Sequence, residues 1–168
     1  MPASSALPHL REMQRDARFS KDGRYRYSLT RAWGDGPRVA WVMLNPSVAG
    51  AEVDDPTLRA CLGFARRWGC GSLEVVNLFG LVATVAADLR SAAAPVGGGC
   101  DPAIEAALRR ADLVVAAWGA GHRGLLGRAE AVRLRLPEGT RCLGVTQGGD
   151  PRYPLYVRRD SPLVPLPR

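Results

Sequence analysis

The chain has 168 residues, of which 46% are hydrophobic and 23% charged, with a formal net charge of +7. That is the size of one domain and the composition of a folded globular protein, which excludes disorder as the default. Its longest apolar runs fall far short of the ~20 residues that span a bilayer. The N-terminus has no basic start followed by an apolar stretch, so no secretory leader is expected and the cytoplasm is the default address.

The elements follow in chain order. Residues 1–20 read as an arm, loose or briefly helical, ahead of a single α/β domain over 21–168. Residues 24–32 (RYRYSLTRA) alternate polar and bulky side chains, as a half-buried strand does. A Gly34-Asp35-Gly36-Pro37 turn follows, then an apolar run to Leu44, so 24–44 reads as a hairpin. The run ends at Asn45-Pro46-Ser47.

A helix is predicted from Asp55 as N-cap and Pro56 at its first position, with Gly69 as its stop. Leu58, Cys61, Leu62, Ala65 and Trp68 share one face of it. Leu73–Leu78 is the next strand, and helical potential follows near 85–93. A Gly97-Gly98-Gly99 loop leads to a helix capped by Asp101 before Pro102. Leu113–Trp118 is a third core strand. Gly119–Gly124 is a turn, 125–136 a helix, and Arg141–Thr146 a fourth strand. The tail from Gly148 is rich in Pro and Arg and reads as turns and extended pieces.

Short apolar strands separated by helices imply an α/β fold. The expected form is a three-layer α/β/α arrangement around a mostly parallel four-stranded sheet, with an N-terminal hairpin. Ligands of such sheets bind at the carboxyl ends of the strands. Those ends carry Asn45-Pro46-Ser47, Asn77-Leu78-Phe79, Trp118-Gly119 and Thr146-Gln147-Gly148-Gly149, all polar or glycine-rich.

Cys61, Cys70, Cys100 and Cys142 include no C-x-x-C pair, so no metal cluster and no disulfide framework is expected, and no cofactor is implied. The positive excess is confined to the ends. Residues 1–38 hold eight basic and four acidic side chains, residues 151–168 four and one, and the middle is neutral. Such clustering suits an anionic partner, DNA or a nucleotide, held by the termini. Oligomeric state has no signature.

WVMLNPS, DDPT, EVVNLF, AWG and a final P-x-x-P-L-Y segment resemble a family of small bacterial proteins known as a domain of unknown function, over about residues 25–166. That family's tail reads G-x-P-x-H-P-L-Y, and Tyr153 stands here in place of the histidine. A more distant resemblance is to the uracil-DNA glycosylase superfamily. It rests on Asn45-Pro46 after the first core strand, Val75-Val76-Asn77 at the second and Ala117-Trp118-Gly119 after the third. Tyr153-Pro154-Leu155 matches the last motif poorly. The resemblance implies a glycosylase-like sheet whose first core strand has core strands on both sides, which leaves the partner of strand 24–32 open.

It also implies roles. Asn45 would position a water for attack at a sugar carbon, since its amide orients but takes no proton. Asn77 would read the edge of a base with its acceptor and donors. Asp55 is accounted for as a helix cap, so Asp54 is the candidate carboxylate for an oxocarbenium-like sugar. Tyr153 stands where the superfamily's histidine stabilises the departing base, and a tyrosine donates a hydrogen bond without adding charge. Pro46, Ser47, Phe79 and Trp118 are substrate-contact candidates. Gly119 would admit a base or phosphate to the backbone. His122, in the loop after Trp118-Gly119, is a further candidate because histidine chemistry suits neutral pH, and Arg152 would meet a phosphate or leaving group. His9, in the arm, is a weaker candidate.

The expected activity is hydrolysis of an N-glycosidic bond of a modified or mismatched base in DNA or a nucleotide. The alternatives are a non-catalytic binder of damaged nucleic acid, favoured by the missing histidine, and a small-molecule enzyme unrelated to nucleic acids.

Overall fold

A computed structural model describes residues 12–122 and 125–168. His9, most of the arm, and Gly124 lie outside the described residues. The strands are β1 (Gln14–Phe19), β2 (Arg26–Ala32), β3 (Arg38–Met43), β4 (Ser72–Asn77), β5 (Leu113–Ala116), β6 (Arg141–Cys142) and β7 (Val164–Pro165). The helices are α1 (Pro56–Arg67), α2 (Ala86–Ser91), α3 (Cys100–Arg110) and α4 (Arg128–Arg133), with a 3₁₀ turn at Pro154–Tyr156.

All seven strands form one sheet in the order β1-β2-β4-β3-β5-β6-β7. The α/β class stands, but the four-stranded, mostly parallel, glycosylase-like sheet does not. Parallel pairing holds for β4-β3, β3-β5 and β5-β6, while β1-β2, β2-β4 and β6-β7 are antiparallel. The 24–44 hairpin is likewise corrected. β2 pairs with β4 on one side and β1 on the other, and β3 lies beyond β4. A glycine-proline turn between two apolar runs permits a hairpin, but it does not choose the partner. Here the backbone of β3 is taken on both sides by β4 and β5. Residues 14–19, read as arm, are the edge strand β1.

Alternation along the strands divides the core in two. Val39, Trp41, Met43, Leu73, Val75, Val115 and Ala117 face α1, against Leu58, Cys61, Leu62, Phe64 and Ala65. Ala40, Val42, Val76, Val114, Ala116 and Trp118 face the other helices, against Leu89, Ile104, Ala107, Ala129 and Val132. α1 begins as its sequence demands: Asp55 accepts from the Leu58 N–H at 2.7 Å and Pro56 follows. α3 begins one residue early, at Cys100, with Gly99 as its cap residue; Asp101 sits in the first turn and pairs with Arg128 instead of capping.

The triple glycine serves packing. A Cβ at Gly97 would come within 2.5 Å of Tyr25, and one at Gly99 within 2.6 Å of Tyr27, whose rings stack at 6.0 Å between centroids. All four cysteines are buried free thiols. Among the described residues, no helix is long and apolar enough to cross a membrane, and no group of three or more His, Cys, Asp or Glu is placed to hold a metal ion.

Two buried charges on the sheet are resolved locally. Glu74, 1% exposed, receives Arg38 at 2.7 Å and Arg110 at 2.6 Å. Arg31, fully buried, reaches Asp54 and the carbonyls of Thr30 and Gly50, which ties the 48–54 loop to β2.

Candidate functional site

A pocket opens where β3 and β4 end, on the α1 face. Met43 and Asn45 of one strand line, and Val75 and Asn77 of the other, lie two residues apart and point into it together. Ser47, Ala49, Asp55, Thr57, Leu58, Cys61 and Tyr153 complete the wall, with Arg26 and Leu29 from β2. As the side chains stand, the enclosed space is about 30 Å³ measured at a water's centre, room for one or two waters.

Arg26 is the residue that the sequence reading missed. Simple alternation places Arg26 on the face opposite Leu29, three positions away. A bulge reverses this: Arg18 pairs with Ser28 and Phe19 with Arg26, leaving Tyr27 unopposed. Tyr27 therefore packs in the opposite layer, and Arg26 enters the pocket beside Leu29.

Its guanidinium is 4% exposed and has no ion-pair partner among the described residues. Nη1 donates to the Ala49 carbonyl at 2.8 Å and Nη2 to Asn77 Oδ1 at 3.4 Å, while Nε has no partner. Burial pulls its pKa down to about 10, with Asp55 opposing the shift and Arg31 adding to it. It remains a cation at neutral pH. A buried cation with no carboxylate in direct contact, and only the charge of Asp55 in the same pocket to offset it, is costly, and a buried donor without an acceptor adds to that cost. An anion, or an atom gaining negative charge, would satisfy both.

The other polar groups face the same space. Asn45 donates through Nδ2 to the carbonyls of Pro46 (3.0 Å) and Ala83 (2.7 Å), which fixes the amide and leaves its Oδ1 as the acceptor. Asn77 is 3% exposed, and its NH₂ carries no hydrogen bond among the described residues. Asp55 accepts from Ser47 Oγ at 2.6 Å besides capping α1, so the cap is also the pocket's carboxylate. Tyr153 shares a 2.7 Å hydrogen bond with Thr57. Burial raises the Tyr153 phenol pKa, with Thr57 opposing and Asp55 adding, so the hydroxyl keeps its proton at neutral pH.

Several expected site residues lie elsewhere. Asp54 does not line the pocket; it bonds Arg31 at 3.0 Å and Arg15 at 2.9 Å. Trp118 is in phase with Ala116 and Phe79 lies past the end of β4, and both are buried in the layer away from α1. Pro46 is buried and accepts the Asn45 amide and the Ala83 N–H. Gly119, at φ +70°, donates to the Pro151 carbonyl, and a Cβ there would lie 3.4 Å from Tyr153 Cβ. Its left-handed backbone accounts for the glycine. His122 Nε2 lies 2.5 Å from Asp150 Oδ1, outside the pocket wall, and Arg152 is exposed. The basic N-terminal segment is partly consumed internally: Arg26 and Arg31 are buried, while Arg15 and Arg38 are ion-paired.

The Asp54 pairing predicts a pH effect. Burial pushes its carboxyl up, but Arg31 and Arg15 outweigh this and hold its pKa below the usual value. A carboxylate held low stabilises the fold above its unfolded pKa, and that contribution is lost as pH falls through the folded value. The melting temperature is expected to fall below about pH 4, and Asp54→Asn to flatten that part of the profile. An identical slope in the variant would show that the pair does not anchor the loop.

A family model described as "Protein of unknown function (DUF1643)" matches residues 26–155. No curated protein and no solved structure matches the chain. The matched span begins at Arg26, ends just past Tyr153 and includes every residue of the pocket wall. The chain belongs to the DUF1643 family.

Proposed function

We propose that the pocket receives a nucleobase and that the chain hydrolyses the N-glycosidic bond joining it to a sugar. The observation that carries this is a buried, unpaired guanidinium sharing one pocket with two strand-end asparagines and a buried carboxylate. The resemblance of Asn45-Pro46 and Val75-Val76-Asn77 to the strand ends of uracil glycosylases supports the choice of bond.

A water held by Asn45 Oδ1 bonds to the anomeric carbon, and the carbon–nitrogen bond breaks. The electron pair leaves with the base, and the water's proton passes to solvent or base. Asp55 offsets positive charge on the sugar, and Arg26 offsets negative charge on the base. Arg26 thus supplies the charge that Tyr153, in the place of a histidine, lacks. Asn77 offers its free NH₂ to a base carbonyl. Seating a base needs more than the enclosed space and moves the half-buried Tyr153 off Thr57.

The test is incubation with single- and double-stranded oligonucleotides and free nucleosides carrying uracil, hydroxymethyluracil, hypoxanthine or xanthine. Abasic sites or free base are the readout. Asn45→Ala is expected to cost about 10²-fold in turnover, the scale of a misplaced nucleophile. Asp55→Asn keeps a capping side chain, so stability stays within about 0.5 kcal/mol while turnover falls. No release from any substrate, with binding intact, favours a non-catalytic binder, the reading that Tyr153 in the histidine's position supports.

A further inference from the structure

Beside the pocket runs a groove of about 830 Å³ between α1 and the Pro154–Tyr156 turn. Arg59, Arg67 and Arg159 line it with Pro154, Leu155 and Val157, and no Asp or Glu contributes to its wall. All three arginines are exposed. Arg59 spends one nitrogen on the Asp54 carbonyl at 2.7 Å, and Arg67 lies 5.1 Å from the Phe64 ring centroid. Arg159 has no partner among the described residues. The nearby Asp160 is paired with Arg158 at 3.1 Å, so it does not neutralise the groove.

The groove and the pocket are continuous in the chain. Pro56 lines one and Thr57 the other; Pro154 lines one and Tyr153 the other. At this junction Tyr156 is 80% exposed, its ring 5.5 Å from that of Tyr153. Exposed aromatic rings beside a cationic groove are how proteins hold single strands, by stacking bases while arginines track phosphates.

We propose that this groove carries the sugar–phosphate backbone of a single-stranded polynucleotide, one base of which enters the pocket while its neighbour stacks on Tyr156. The inference rests on the nucleobase reading of the pocket and adds the polymer as its substrate. A concave groove whose wall adjoins that of the pocket along the chain fits a chain-like anion, whereas a bilayer presents a broad surface.

The experiment is fluorescence anisotropy of a labelled single-stranded oligonucleotide across about 50–200 mM salt. Neutralising three phosphate contacts on a single strand is worth a log–log slope of about 2. The R59Q/R67Q/R159Q triple is expected to lose more than about tenfold in affinity at low salt and that much slope. R18Q/R109Q/R141Q removes the same charge from exposed positions that do not line the groove, and is expected to stay within about threefold of wild type. Tyr156→Ala is expected to lose about tenfold with the slope unchanged. Equal losses in the two triples overturn the proposal, as does tighter binding to phosphatidylserine vesicles than to the oligonucleotide. Nucleoside hydrolysis without oligonucleotide binding overturns the groove and spares the pocket reading. Groove-dependent binding without hydrolysis of any substrate does the reverse.

Discussion

Arg26→Met is expected to lower kcat/KM for base release by about 10³-fold, the upper range for removing one preorganised electrostatic stabiliser, without lowering the melting temperature. The two effects separate because the same group is costly to the fold and useful to the reaction. Burying a guanidinium with no carboxylate in contact forfeits hydration that two hydrogen bonds, at 2.8 and 3.4 Å, only partly replace. Methionine fills much of the volume and removes the charge. Replacing buried ionic groups with apolar ones is often neutral or stabilising by about 1–4 kcal/mol. Arg26→Lys keeps the charge but not the planar fork, so its activity is expected between the two. Parallel losses of activity and stability in Arg26→Met would instead make the guanidinium a brace for the Ala49 carbonyl and its loop. Turnover measured beside thermal and urea melts decides between these.

The largest stability effect is expected far from the pocket. Arg38→Met with Arg110→Met leaves Glu74 buried and unpaired, at a cost of about 3–5 kcal/mol. Each single change is expected to cost only about 1 kcal/mol. The surviving arginine still meets the carboxylate, and both arginines are part-exposed, at 29% and 48%. The losses are therefore strongly non-additive, as expected for residues that share one partner. Adding Glu74→Leu to the double variant is expected to recover most of the stability. Urea unfolding of the four proteins is the measurement. Additive singles would mean that water reaches Glu74 and that the ion triad is not a buried one. Arg38 and Ser72 pair at the beginnings of β3 and β4, the ends opposite the pocket, so the folded variants should retain whatever activity the wild type has.

The contrast between these two sites explains what was legible in the sequence. Asn45 and Asn77 were readable because each continues a strand in phase with Met43 and Val75, and alternation carries a side chain reliably from core to pocket. α1 was readable from Asp55-Pro56, a local signal with a local cause. That same signal concealed the site: a residue fully explained as a cap was set aside, and Asp54 was preferred. Yet capping uses one carboxylate oxygen, and the other meets Ser47 in the pocket wall. Trp118 was misplaced although its phase was available, since Ala116 and Trp118 share a face and Ala117 lies on the other. The pairing of β2 was not legible because strand partnership is a long-range choice, decided by which edge is open once β3, β4 and β5 have assembled. Arg26 was illegible for a different reason. Counting by twos along β2 fails at Tyr27, and nothing in RYRYS marks where the count breaks.

That irregularity changes what kind of constraint the pocket places on its own gene. The guanidinium is aimed by the bulge at Tyr27, which lets two residues three positions apart share a face. Ser28 can be exchanged for another small side chain and the aim is kept. Deleting the Tyr27 codon would keep it too, since Arg26 would then stand two positions from Leu29 in a regular strand and still face the pocket. What such a deletion removes is the ring packed against the triple glycine, whereas a point substitution at Arg26 removes the charge itself.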